Sequence, residues 1–174
     1  MPGRRGPPPG PGRLARRHDP PAAPDRAGRG SLRPHGRPVG GQGVKRYLLD
    51  THALVFWSLG EGLSPRFATR LDRLCRAGRL AVSAVSFWET ALLAQKGRIE
   101  LPDVAGWKDE LVRASGLAVL TPDADVMIAS ALLPPLHKDP MDRLIVAHAL
   151  AKGAVLVSRD ALVRRYPVPT LWLD

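Results

Sequence analysis

From residue 44 onward the chain alternates short apolar runs with longer stretches of helical period, and that alternation leaves few folds open to it. Residues 44–49, 80–84, 117–120, 154–157 and 170–173 have the length and apolar character of strands. Between them lie segments of helical pattern at 51–59, 65–77, 86–95, 104–114 and 123–132. A very apolar helix opened by Asp139-Pro140-Met141-Asp142 then runs to about Lys152. Strands joined through helices need crossover connections, which make neighbouring strands parallel and place helices on both faces of the sheet. The pattern therefore predicts an α/β fold, a mostly parallel central sheet of four to five strands between two helix layers. Local punctuation agrees: Ser64 precedes Pro65 at the head of one helix, Gly78 follows its end, and Gly153 follows the apolar helix.

Residues 1–43 break with this pattern. They hold ten Pro, ten Gly and nine Arg against two Asp, with eight apolar residues, too few to offset the entropy of ordering them. They read as a disordered leader, dispensable for folding, and Val44 is a candidate alternative start. The leader supplies +7 of the formal charge of +10, so the remaining 131 residues, with 17 basic and 14 acidic side chains, are only mildly basic. Residues 44–174 are expected to form one domain. The single cysteine, Cys75, excludes an internal disulfide framework and a cysteine-based zinc cluster, which fits a reducing, cytoplasmic setting. The longest apolar run, 126–136, is interrupted by Ser130, Pro134 and Pro135, so no membrane span is expected.

In a sheet of this kind, functional side chains gather beyond the carboxyl ends of the strands. Four acids fall in that zone. Asp50 follows the first strand, Glu89 sits in the first turns of the helix after the second, Asp142 opens the apolar helix, and Asp160 comes three residues after Val157. Brought to one edge, they would repel one another unless a cation neutralised them, and hard oxygen ligands favour magnesium or manganese over zinc. A phosphoryl-transfer site is the chemistry such a cluster suits. Each acid also has a structural reading: Asp50 as a helix N-cap, Glu89 as an exposed helical residue, Asp160 as a turn residue. Asp139 is assigned to the cap of its helix. Asp142 differs, because Leu144, Ile145, Val146, Ala147, Leu150 and Ala151 leave the helix little polar face, so its carboxylate needs a counter-ion.

Four ordered motifs carry a resemblance: Tyr47-Leu48-Leu49-Asp50-Thr51-His52, Ser83-Ala84-Val85-Ser86-Phe87-Trp88-Glu89, His137-Lys138-Asp139-Pro140-Met141-Asp142-Arg143 and Leu156-Val157-Ser158-Arg159-Asp160. Residues 44–174 resemble PIN-domain proteins, and within them VapC-type toxins of toxin-antitoxin pairs. The resemblance implies a PIN-like three-layer α/β/α sandwich and a magnesium-dependent endoribonuclease, with Mn2+ as a substitute ion. It matches Asp50, Glu89, Asp142 and Asp160 to the acidic catalytic set, with Asp50 and Asp142 at the core metal positions. It implies an RNA substrate, a VapB-like antitoxin whose C-terminal segment enters the acidic cleft, and a homodimer, for which apolar surface on helices such as 65–77 is the candidate.

Accessory positions are Thr51, as a partner for a metal-bound water or a local cap, and His52, as an RNA contact or a structural residue. Arg143 and Arg159 flank two of the acids, to hold carboxylates in place or to meet phosphate, and of the two an ion-pair role is the one expected. Trp57, Trp88, Trp107 and Trp172 show no spacing suited to base stacking and are assigned mainly to the core. The competing reading is a non-catalytic nucleic-acid-binding protein that works through the basic N-terminal arm. It leaves the four acids without a purpose, because carboxylates repel phosphate unless metal intervenes.

Overall fold

A computed structural model describes residues 44–174, so the expectations for residues 1–43 lie outside the described residues. Five strands form one sheet: β1 (Tyr47–Leu49), β2 (Leu80–Ser83), β3 (Ala118–Leu120), β4 (Val155–Val157) and β5 (Thr170–Leu171). Their order is β3-β2-β1-β4-β5 and every neighbouring pair is parallel. The helices are α1 (Thr51–Leu59), α2 (Pro65–Arg76), α3 (Ala84–Gln95), α4 (Val104–Ser115), α5 (Ala124–Leu132) and α6 (Pro140–Ala151), with a short 3-10 turn at Val163–Arg165. This is the predicted parallel α/β architecture.

The pleat sends successive side chains to opposite faces, and each face has its own core. Leu49, Val82 and Val157 meet Leu54 of α1 and Phe67, Leu71 and Leu74 of α2. Leu48, Ala81 and Leu156 meet Ile145, Val146 and Ala149 of α6, with Val163, Tyr166 and Val168 from the segment before β5. Leu48 lies opposite Ala81 on one side and Leu156 on the other, so β1 is the centre of the sheet. The chain builds outward from β1 through β2 to β3, then crosses back to add β4 and β5 on the far side. The order thus reverses between β1 and β4, and a crevice opens beyond their carboxyl ends.

Four expectations change. The first strand begins at Tyr47, because Val44, Lys45 and Arg46 are exposed and have no core to join. Helix α3 starts at Ala84 directly out of β2, where the Ser83 hydroxyl accepts the Val85 N–H. Trp88 is 54% exposed rather than part of the core, since α3 turns that side chain outward. Helix α2 offers no apolar outer face: Phe67, Leu71, Leu74 and Cys75 are spent in the core, and Arg66, Arg70, Arg73 and Arg76 are exposed. Among the described residues, the helix with the most exposed apolar side chains is instead α5, with Met127, Ile128 and Leu132. Among the described residues, no helix is long and apolar enough to cross a membrane.

Candidate active site

Asp50 is the first residue past β1, tied to β4 by its N–H donating to the Val157 carbonyl (3.1 Å). Its carboxylate accepts the Ala53 N–H at 2.6 Å, so it caps α1, and it is only 6% exposed. Burial pushes the Asp50 carboxyl above its ordinary range. Hydrogen bonds from Ser158 and the Ala53 amide, together with His52, oppose that rise, while Glu89 adds repulsion. The buried Thr51 hydroxyl donates to Glu89 Oε2 at 2.6 Å, a contact between α1 and α3 that commits Thr51 to Glu89 and not to a local cap.

The other acids come from α6 and from the segment after β4. Burial raises Asp142 to about 6, and the charges of Glu89, Asp139 and Asp50 push in the same direction while His137 opposes them. Asp50 and Glu89 are therefore close enough to act on Asp142 electrostatically, so the fold brings three of the four predicted acids into one field. Asp160 stands 3.1 Å from His137 Nε2 and accepts the Leu162 N–H at 2.6 Å. Burial alone would raise Asp160, yet the hydrogen bonds from Leu162, His137 and Val163 together hold it below the usual carboxylate value. Asp160 is thus a turn residue as well as a member of the cluster. Asp139 caps α6 by accepting the Met141 N–H at 2.8 Å, as its sequence position predicts.

His137 is the residue that sequence reasoning passed over. Its Nε2 lies 3.3 Å from Asp142 Oδ2 and 3.1 Å from Asp160 Oδ2, joining the two carboxylates. Its Nδ1 accepts the Asp139 N–H (3.1 Å), which in the neutral ring puts the proton on Nε2, facing the acids. Tyr166 sets the loop that carries it, its hydroxyl donating to the Pro134 carbonyl (3.0 Å) and accepting the His137 N–H (2.9 Å). The signal in the sequence was the place of His137 within the same motif as Asp142.

The expected ion pairs of the two arginines are corrected by what each guanidinium touches. Arg143 donates to the carbonyls of Ser130, Ala131, Leu133 and Pro134 at 2.8–3.1 Å, closing the open carbonyls at the end of α5. Arg159 lies over the Phe56 ring, 4.8 Å from its centroid. His52 is exposed, its ring tilted at 6.2 Å from that of Phe56.

The donor set suits a hard cation. One ligand atom from each of His137, Asp142 and Asp160 falls within 4.8 Å of the others. With Nδ1 engaged and a proton on Nε2, His137 acts toward the acids as a hydrogen-bond donor, which leaves carboxylate oxygens as the available ligands. The mutual repulsion that lifts Asp142 is the strain a divalent ion would relieve.

Comparison with known proteins places this arrangement. The PIN domain model matches residues 47–169. Ribonuclease VapC22 of Mycobacterium tuberculosis is 36% identical over 130 residues, covering 72% of this chain and 97% of that protein. VapBC2 from Rickettsia felis, solved bound to a DNA fragment from its promoter, has a TM-score of 0.56 at 20% identity, covering 74% of this chain and 98% of that one. FitAcB from Neisseria gonorrhoeae has a TM-score of 0.54 at 20% identity, covering 72% and 96% of the two chains. The two structures share the fold, and the sequence match extends across both halves of the crevice, from Asp50 to Asp160: the chain belongs to the PIN-domain family.

Proposed function

We propose that the chain is a magnesium-dependent endoribonuclease, the toxin of a toxin-antitoxin pair, with Asp50, Glu89, Asp142 and Asp160 as its catalytic acids. The observation that carries this reading is the gathering of Asp142 and Asp160 about His137 Nε2, at 3.3 Å and 3.1 Å, with burial and neighbouring carboxylates raising Asp142. A cluster of that kind at the switch point of a parallel sheet has a purpose only with a cation. Membership of the PIN-domain family implies a divalent metal, and the similarity to a protein named as a ribonuclease supports RNA as the substrate.

Asp50 and Asp142 are the proposed metal ligands, and their oxygen donors favour Mg2+, with Mn2+ as a substitute. When bound, such an ion would supply an activated water and charge stabilisation at the scissile phosphate. The chain's own residues prepare the place. Thr51 fixes the Glu89 carboxylate, the Ala53 amide fixes Asp50, and His137 Nε2–H holds Asp142 beside Asp160. Burial of Asp50 keeps bulk water from the floor of the crevice.

The proposed partner is a VapB-like antitoxin, in keeping with the VapBC complexes that share the fold. An Arg or Lys of that partner is the natural occupant of an acidic crevice. The proposed homodimer uses Met127, Ile128 and Leu132 of α5, and a strictly monomeric chain in sedimentation would remove that part. The proposed site of action is the cytoplasm, where RNA is available. The test is cleavage of an RNA pool with Mg2+: cutting should appear with the ion, stop with excess chelator, and fall at least about a hundredfold in Asp142→Asn. Equal cutting in chelator would end the metal-dependent reading.

A further inference from the structure

We infer that the exposed arginine face of α2, with Arg159 and Arg164 lining the neighbouring cavity, is the surface along which the RNA phosphate backbone lies; this rests on the ribonuclease reading above. Arg66, Arg70 and Arg73 are spaced by four and three residues and so share one face of the helix, separate from the face of Phe67, Leu71 and Leu74. All three are exposed, and among the described residues no ion pair involves them. The helix's one acid, Asp72, is occupied by the Trp57 indole N–H at 2.8 Å.

The three arginines line an open cavity of about 550 Å3 whose other walls are Pro65, Thr69 and Leu173. A second cavity, of about 390 Å3, is lined by Ser64, Arg159, Arg164, Trp172, Leu173 and Asp174, two arginines against one acidic side chain. The shared Leu173 and the consecutive Ser64 and Pro65 make the two neighbours. Arg159 precedes Asp160 in sequence, and its guanidinium lies over the Phe56 ring of α1.

Three further points favour a phosphate backbone. Arg66 stands in the first turn of α2, where a cation opposes the helix dipole, so it is a poor choice for helix stability and a good one for meeting an anion. From Arg66 to Arg73 the helix rises about 10 Å, a row of guanidinium forks suited to successive phosphates. A protein partner would want apolar anchor pockets, and the cavity beside α2 offers only Pro65 and Leu173.

The test uses the full chain and a fluorescein-labelled single-stranded RNA, with affinity measured in chelator over a range of salt and cleavage measured separately with Mg2+. The R66Q/R70Q/R73Q variant should bind at least about tenfold more weakly and show a salt slope shallower by about 2, since each phosphate contact on a single strand contributes about 0.7. Its KM should rise with kcat unchanged. Arg113→Gln, which removes a charge paired with Glu110 on α4, should behave as native. If the triple variant melts early, single Arg70→Gln, with an expected slope change of about 0.7, replaces it. A folded variant with native affinity, salt slope and KM would overturn the inference. So would a variant that loses antitoxin binding while keeping RNA binding, which would assign the face to a protein partner. A native chain that binds RNA in chelator but never cuts it would instead overturn the ribonuclease reading and leave the surface standing.

Discussion

Asp142 is where function and stability pull against each other. Its carboxyl is raised from 3.8 to about 6, so between those values the folded protein binds more protons than the unfolded chain. The stabilising protonated form is present at low pH, and the contribution is lost as pH rises through about 6. Asp50 is shifted in the same direction and adds to the loss. Asp160 is shifted the other way, and its contribution disappears only as pH falls below the ordinary carboxylate range. Metal-free protein should therefore lose stability between about pH 4 and pH 7, and Asp142→Asn should recover on the order of 2 kcal/mol at pH 7. Asp139→Asn should recover much less, because Asp139 adds only a minor part of the repulsion on Asp142 and chiefly caps α6. Chemical denaturation across this range checks both, and an Asp142→Asn protein less stable than native at pH 7 would contradict the assignment. The positions of the four acids were legible because each lies beside a strand end or helix start. His137 was not, because its Nε2 reaches two acids only once the loop before α6 has folded against Tyr166.

That loop depends on how α5 ends. Arg143 of α6 ties down the carbonyls of Ser130, Ala131, Leu133 and Pro134, so the segment leading to His137 is anchored from the next helix. A Lys at position 143 keeps the charge but lacks the planar fork that serves several carbonyls at once. Arg143→Lys should cost about 1–3 kcal/mol in unfolding and lower cleavage several-fold through a displaced His137. A variant with native stability and native activity would show that the anchor is idle. Most element limits could be read from local signals, such as Ser64 and Pro65 at the start of α2. The 3-10 turn at Val163–Arg165 could not, because three residues are too few to show a period. The amphipathic pattern marked α2 as a helix, but the expectation of apolar dimer surface there missed its arginine-faced exterior. Its value as a surface shows only beside Arg159 and Arg164, which arrive from the far end of the sequence.

At the scale of the whole molecule, charge and core lie in different parts of the chain. Both cores are closed by residues between Tyr47 and Leu173, and every side chain placed in the crevice lies in that span. The order β3-β2-β1-β4-β5 needs nothing ahead of β1, since the central strand already has a neighbour on each side. Residues 1–43 nevertheless carry +7 of the formal charge of +10. Arginines among so many Pro and Gly would meet phosphates without fixing a register, so the expectation is added affinity that falls with salt and does not discriminate sequence. A chain beginning at Val44 should therefore unfold within about 1 kcal/mol of the full chain and cut the same sites in an RNA pool. Its RNA affinity should be lower at low salt and converge on that of the full chain as salt rises. Comparing the two proteins by thermal melting, cleavage-site mapping and RNA titration over a salt series separates these contributions. A large drop in melting temperature would give the arm a structural role, and a changed set of cleavage sites would make it part of RNA recognition.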